Sequence, residues 1–280
     1  MPNWRPLASI DSLHKRAAVL RVLREFMHDE GIVEVQTPVM GAATVTDPDV
    51  ESIVVGGSQP AYLQTSPEYF MKRLLAAAMP SCYQLGPVFR ADEEGKLHNR
   101  EFTLLEWYHL DFDHQQLMVE VAAVVDLVLG PGDYHQVSYA DLVEDLNAPR
   151  ADLDWQFANA CAKLTGRVFV VDYPADQAAL ARVNPHDPAF ATRFELIVDG
   201  VELANGYWEL LDRATHEARF NADLANRKAR GLSEPEIDSA FLDAIGHGLP
   251  ACAGVAMGVD RLVMRAVNAD SIERVLAFRR

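Results

Sequence analysis

The stretch Arg193-Phe194-Glu195-Leu196-Ile197-Val198-Asp199-Gly200-Val201-Glu202-Leu203-Ala204-Asn205-Gly206 decides the fold. Two apolar runs flank Asp199-Gly200, a dipeptide that suits the two-residue turns whose twist matches that of paired strands. The spacing predicts an antiparallel hairpin with strands over 194–198 and 201–205. With Asp199-Gly200 as the loop, Val198 faces Val201, Ile197 faces Glu202 and Glu195 faces Ala204. Glu195 and Glu202 then share a face as diagonal neighbours, with α-carbons roughly 7–8 Å apart. Like charges so placed repel unless a cation lies between them, and oxygen-only donors select a hard cation such as Mg²⁺. The alternative is a solvated sheet face with two unrelated glutamates, which the hairpin alone would favour.

Outward from the hairpin, strands at 82–90 and 101–108 are joined by a polar loop. Helical spacing marks 12–29, where Leu13, Ala17, Leu20, Leu23 and Met27 line one face, with Gly31 placed for a left-handed end. A second helix starts at Ser66, a capping residue, with Pro67 at its first position, and continues through 69–79. Further helices are expected over 114–129, 155–165 and 214–230, a strand over 167–172, and a small-residue strand over 253–256 leading into a helix after Gly258. Antiparallel strands interleaved with helices make the fold class α+β rather than doubly wound.

The 280 residues carry 25 basic and 41 acidic side chains, a net charge of −16, which argues against sequence-independent phosphate affinity. No run approaches the roughly 18 apolar residues of a membrane span, and the amino terminus lacks signal-peptide features. Cys82, Cys161 and Cys252 are too few and too scattered for a disulfide framework or zinc ribbon. A cytoplasmic protein with buried thiols is expected.

Two other segments concentrate polar chemistry. In the strand ending Phe102-Thr103-Leu104-Leu105-Glu106-Trp107-Tyr108, alternation puts Phe102, Leu104, Glu106 and Tyr108 on one side. A carboxylate there is costly unless it faces a wet cleft or is paired, for instance with Arg90. In Gly254-Val255-Ala256-Met257-Gly258-Val259-Asp260-Arg261, small residues permit close backbone approach, and Arg261 falls in a helical first turn where an anion is its natural partner. Tight strand-on-helix packing would explain the same glycines, and the spacing fails the P-loop and dinucleotide patterns.

In order along the chain, these segments resemble the signature motifs of class II aminoacyl-tRNA synthetases of the lysyl type. Gly31-Ile32-Val33-Glu34-Val35-Gln36-Thr37-Pro38 is similar to motif 1, residues 90–106 to motif 2, and Gly258-Val259-Asp260-Arg261 to motif 3. Thr65-Ser66-Pro67-Glu68 and Glu202-Leu203-Ala204-Asn205-Gly206-Tyr207-Trp208-Glu209-Leu210 resemble the lysine-pocket segments. Within the family the resemblance is greatest to a branch that ligates lysine to elongation factor P. Some thirty residues ahead of motif 1 cannot make an anticodon-binding barrel, so one catalytic domain over 1–280 is expected. Ala256 also stands where tRNA-charging enzymes have glycine, a methyl that would reshape the pocket toward β-lysine.

The resemblance implies ATP and Mg²⁺ as cofactors, lysine or β-lysine as substrate, elongation factor P rather than tRNA as acceptor, and a homodimer through motif 1. It implies Arg90 on the α-phosphate and Arg261 on the γ-phosphate as the catalytic pair. Asp92, His98, Asn99, Glu202, Leu203 and Gly258 complete the nucleotide contacts, and Glu195 and Glu202 hold the metal. Ser66, Pro67, Glu68, Glu106, Tyr108, Asn205, Glu209 and Ala256 form the amino-acid pocket, with Glu68 and Glu209 meeting its ammonium groups. Asn205-Gly206 must interrupt the strand, since Glu202 and Glu209 would otherwise point to opposite faces.

Three departures from the family pattern stand out: Asp92 replaces a glutamate, Arg100 replaces a proline, and the region over 147–167 is short. Other readings are lysine adenylation with transfer to tRNA or another acceptor, and an inactive paralogue that senses lysine or ATP. The retention of Arg90, Glu195, Glu202 and Arg261 counts against the last. Arg227, Lys228, Arg230, Arg279 and Arg280 are basic candidates for docking an acceptor, although a solvated helix face and a frayed tail explain them more simply.

Overall fold

A computed structural model describes residues 4–57 and 60–279, so Arg280 and the first three residues lie outside it. In chain order the elements are α1 (Ile10–Asp29), β1 (Val33–Glu34), β2 (Met40–Gly41), β3 (Val54–Val55), β4 (Ala61–Leu63), α2 (Glu68–Ala76), β5 (Cys82–Phe89) and β6 (Glu101–Leu110). There follow α3 (His114–Leu129), β7 (Tyr134–Ser138), α4 (Arg150–Cys161), β8 (Arg167–Val171), β9 (Tyr173–Pro174), β10 (Phe190–Ala191), β11 (Arg193–Val198) and β12 (Val201–Trp208). The chain closes with α5 (Arg213–Ala229), α6 (Ser239–Gly248), β13 (Cys252–Gly258) and α7 (Val259–Ala266). The class is α+β, as expected.

The chain divides into two compact units, and the division falls within β6. The first comprises residues 1–107, 211–250 and 258–280. In it β1 runs parallel to β5, β6 neighbours β5, and β2, β4 and β3 form a separate antiparallel sheet. Helix α1 starts at Ser9, whose hydroxyl accepts the Ser12 amide, and Gly31 follows its end at φ +73°. Its buried residues are Val19, Leu23 and Met27, whereas Ala17 is exposed. The buried stripe is therefore rotated from the expected one, because Arg16 on the same side is drawn inward by an ion pair described below. Helix α6, which the sequence reading passed over, is capped by Asp238 through the Phe241 amide and packs on α2 and α5.

The second unit comprises residues 108–210 and 251–257. Its strands lie in the order β13-β12-β11-β8-β7, antiparallel except for the β7–β8 pair, which is parallel. The two parallel pairs were not foreseen, since β1 and β7 are short and irregular in pattern. Helix α3 packs on β11 and β12 and carries a full capping box built by Asp113 and Gln116. At the hairpin tip Asp199 and Gly200 both have positive φ, +46° and +77°, as the expected turn requires. A methyl on Gly200 would lie 2.6 Å from the Ala162 carbonyl oxygen, so the tip also needs the missing side chain for close packing.

Helix α4 runs 150–161 rather than 155–165. Cys82, Cys161 and Cys252 are free and buried. Among the described residues no helix is long and apolar enough to cross a membrane.

Candidate active site

In the first unit, the loop between β5 and β6 is closed at its base by the Arg90 amide donating to the Arg100 carbonyl at 2.9 Å. Asn99 is buried, and its amide Nδ2 donates to the Glu101 carbonyl at 2.6 Å, which fixes the returning limb. The Arg90 guanidinium lies over the Phe102 ring at 5.2 Å and pairs through Nη1 with Glu93 Oε1 at 3.3 Å. Glu93 Oε2 is 3.2 Å from His98 Nε2, and that nitrogen is 2.6 Å from Arg261 Nη2. With a proton on Nε2 the ring donates to Glu93, and without one it accepts from Arg261, so the two contacts belong to different protonation forms of the ring. Arg261 Nε also reaches the Leu97 carbonyl at 3.4 Å.

Arg90, His98 and Arg261 are thus brought together around one carboxylate, that of Glu93. Asp92 is exposed, and Glu93 closes the cluster. The one signal for Glu93 in the sequence is its place in an acidic loop, where alternation gives no guide to direction. Gly258 caps α7 at φ −73°, and the strand-to-helix junction delivers Arg261 from the first turn.

Asp260, beside Arg261, is a structural anchor. Its Oδ1 pairs with Arg16 of α1, and its Oδ2 accepts the Thr103 amide of β6 at 2.8 Å. Arg16 also donates to Thr103 Oγ1 at 2.7 Å. One buried acid therefore locks the start of α7 to α1 and β6.

Ser66 links two of the expected pocket acids. Its hydroxyl donates to Glu106 Oε2 at 2.7 Å and accepts the Glu68 amide at 3.0 Å, just ahead of the buried Pro67. Glu106 is buried, and Arg90 pairs with Glu93 rather than with it. Glu68 is also ion-paired, one turn along α2, to the fully buried Lys72 at 2.5 Å.

In the second unit the hairpin register departs from expectation at one point. Val198 faces Val201 and Ile197 faces Glu202, but Leu196 then pairs with Ala204 and Glu195 with Asn205. Leu203 is the extra residue of a β-bulge. The bulge has the consequence that the sequence reading assigned to an interruption at Asn205-Gly206. Beyond it, alternation places Asn205, Tyr207 and Glu209 on the face that already holds Glu195 and Glu202. Strand β13 continues that face, since Asn205 pairs with Ala256 and Tyr207 with Gly254. Leu203 itself is buried, so only its backbone is available to a nucleotide.

Glu195 is buried and paired through Oε1 with Arg193 Nη2 at 2.5 Å. Arg193 stacks over Tyr173 at 4.4 Å and donates to the Gln177 carbonyl at 2.9 Å. Burial raises the Glu195 pKa; Arg193 opposes this and Glu202 adds to it. Burial also works against the Arg193 charge, but Glu195, Tyr207 and Tyr173 outweigh it and its pKa is raised. The Cys161 thiol is pushed up to about 12, mainly by burial and further by the charges of Glu195 and Glu202. Glu195 and Glu202 share one face of the hairpin, an oxygen-only donor pair of the kind a hard divalent cation takes. Among the described residues no three His, Cys, Asp or Glu side chains gather as a metal cage.

Further along the same face, Asn205 Nδ2 donates to the Tyr207 hydroxyl at 3.2 Å, while its Oδ1 is buried without a partner among the described residues. Glu209 is 1% exposed, its amide donates to the Cys252 carbonyl, and its own carbonyl accepts Arg182 Nε at 3.0 Å. A methyl on Gly254 would stand 2.3 Å from Tyr108 Cε1 and 2.5 Å from Glu209 Oε1. The aromatic ring and the carboxylate meet over a glycine because only a glycine leaves room. Of these residues Arg182 carries no sequence signal, Arg193 enters only as the first residue of the hairpin stretch, and Gly254 only as one of the small residues that permit close approach. The two arginines are surrounded by residues whose pairing depends on the bulge.

The sequence profile described as "tRNA synthetases class II (D, K and N)" matches residues 4–280. The elongation factor P–(R)-β-lysine ligase of Vibrio cholerae is 42% identical over 315 aligned positions, covering 99% of this chain and 97% of that protein. The proteins of the same name from Hamiltonella defensa and Yersinia enterocolitica are each 40% identical, again covering 99% of this chain and 97% of theirs. These alignments are longer than the chain, so the relatives carry residues with no counterpart here, in keeping with a shortened internal region. With the motif loops, the capped α7 and the bulged hairpin all in order, the chain belongs to the family of class II tRNA synthetases of the D, K and N type.

Proposed function

We propose that this protein activates lysine or β-lysine with ATP and transfers the aminoacyl group to a lysine side chain of elongation factor P. The observation that carries the proposal is near-complete, two-way coverage by relatives that bear the name of that ligase. In the first step the amino-acid carboxylate attacks the α-phosphorus, the bond to the β-phosphate bridging oxygen breaks, and pyrophosphate leaves. In the second the acceptor amine attacks the acyl carbonyl, AMP leaves, and the amine loses a proton. No side-chain nucleophile is needed, so rate comes from positioning and charge neutralisation.

Arg90 is assigned to the α-phosphate and Arg261 to the γ-phosphate, with Asp92, His98, Asn99, Gly258 and the Leu203 backbone completing the nucleotide contacts. Arg90, now paired with Glu93, exchanges that carboxylate for a phosphate. Glu195 and Glu202 would hold Mg²⁺, which would neutralise phosphate charge, and Arg193 keeps Glu195 aimed by pairing with its Oε1. Glu209 takes one substrate ammonium, and Glu68 takes the other alongside Lys72. Ser66, Pro67, Glu106, Tyr108, Asn205 and Ala256 shape the remaining surface. The chain works as one catalytic domain over 1–280, in the cytoplasm, where three free thiols persist. It pairs as a homodimer through the motif 1 stretch, where Val33 is exposed and is followed just beyond the stretch by the exposed Val39 and Met40.

Incubation with ATP, Mg²⁺ and either lysine isomer, followed by mass spectrometry of elongation factor P, should show one added lysyl mass. A tRNA-charging assay run beside it should stay at background, as the −16 charge suggests. Charged tRNA with unmodified elongation factor P would reverse the choice of acceptor, and no lysine-dependent pyrophosphate exchange would refute the activity. Light scattering at micromolar concentration should give twice the 31.1 kDa chain mass.

A further inference from the structure

One face of α5 is devoted to holding the segment 46–51. Along that face Asp223 accepts the Thr46 hydroxyl at 2.8 Å, Arg227 reaches the Asp47 carbonyl at 2.9 Å, and Arg230 pairs with Asp49 at 2.7 Å. These three positions fall four and three residues apart, one stripe of a helix. Arg227 is the centre of it. Although 2% exposed, it donates through every guanidinium nitrogen: Nε to the Ser233 carbonyl, Nη1 to the Asp47 carbonyl, Nη2 to Glu51 Oε2 and to Ser233 Oγ at 3.1 Å. Ser233 Oγ closes the ring by donating to Glu51 Oε1 at 3.0 Å. Both carboxylate oxygens of Glu51 are therefore fixed.

The backbone carbonyl of the same Glu51 accepts the Ala91 amide at 2.8 Å. Ala91 lies between Arg90 and Asp92, so the loop carrying the nucleotide-side groups is held by backbone at two adjacent points, Arg90 on Arg100 and Ala91 on Glu51. A buried arginine fork is a stiff, planar clamp that a lysine cannot copy. The helix sequence gave Arg227 the look of an exposed docking residue, whereas its burial and its full set of partners show that it is none.

We propose that Arg227 is a positioning residue for ATP: by fixing Glu51 it sets the Ala91 amide and hence the place of Arg90 and Asp92. This rests on the assignment of Arg90 to the nucleotide given above. Misplacing a catalytic group by about 1 Å costs on the order of 100-fold, so the link has room to matter. In pyrophosphate exchange, Arg227→Met should raise KM for ATP by roughly 10-fold or more and leave KM for lysine within about 2-fold. Arg227→Lys should fall between, keeping the charge without the fork.

The amide exchange rate of Ala91, read by hydrogen–deuterium exchange on the intact protein, should rise in both variants. Glu51→Gln, which keeps the backbone carbonyl but breaks the clamp, should act in the same direction and carries the test if Arg227→Met does not fold. Equal changes in both KM values, or an unchanged Ala91 exchange rate in a folded variant, would overturn the proposal. Absence of lysine-dependent exchange in the wild type would refute the activity instead, and the Ala91 measurement still decides whether the clamp reaches the loop.

Discussion

His216 is fully buried against Phe220 and Phe241, with Nδ1 3.0 Å from the Asp212 carbonyl. Burial first, and the Lys72 charge second, push its pKa down to about 4. The unfolded chain, titrating near the ordinary 6.5, binds more protons between those values. The contribution of neutral His216 is thus complete above pH 6.5 and is lost as pH falls toward 4, by roughly 3 kcal/mol. His216→Phe should flatten the fall in urea midpoint between pH 6.5 and 4.5 relative to the wild type; parallel profiles would remove His216 as the cause. At Gly254 the argument is steric. Gly254→Ala must displace the Tyr108 ring or the Glu209 carboxylate, an overpacking cost of about 1–3 kcal/mol. Its thermal midpoint should drop and its KM for lysine should rise more than its KM for ATP, which parallel titrations in the exchange assay would reveal.

Among the elements, α1, β6 and α7 depend on Asp260 for their mutual placement. Asp260→Ala leaves the largely buried Arg16 without its anion, a loss of about 3–5 kcal/mol, so chemical denaturation should show a clear fall in stability. A fall below about 1 kcal/mol would mean that Arg16 finds water instead. The elements themselves were largely legible. Asp199-Gly200 announced the hairpin, the spacing of Leu117, Val121 and Val124 announced α3 to the residue, and Gly258 announced the start of α7. What sequence could not place was the extra residue at Leu203, because a bulged leucine in a buried strand has the same composition as a paired one. For the same reason Glu195 is expected opposite Ala204 but pairs with Asn205. Helix α6 was missed because Gly246 and Gly248 blur its short apolar stripe of Phe241, Leu242 and Ile245.

For the molecule as a whole, the three thiols serve as a readout of global integrity. Cys82 and Cys161 are each pushed up to about 12, chiefly by burial, and Cys252 is fully buried. A thiol reagent at pH 8 should titrate fewer than about one equivalent in the native protein, and all three cysteines in guanidinium. A rapidly reacting native thiol would point to local opening. The net charge that first argued against nucleic acid now has several of its carboxylates accounted for inside the protein, at Glu106, Glu120, Glu195, Glu209 and Asp260. The bulge, finally, makes the acidic face a matter of counting. One residue inserted between Leu203 and Asn205 would send Asn205, Tyr207 and Glu209 to the other side and leave Glu195 and Glu202 where they are. An editor of this gene could therefore separate the residues proposed for amino-acid recognition from those proposed for cation binding by changing a length, without replacing a single side chain.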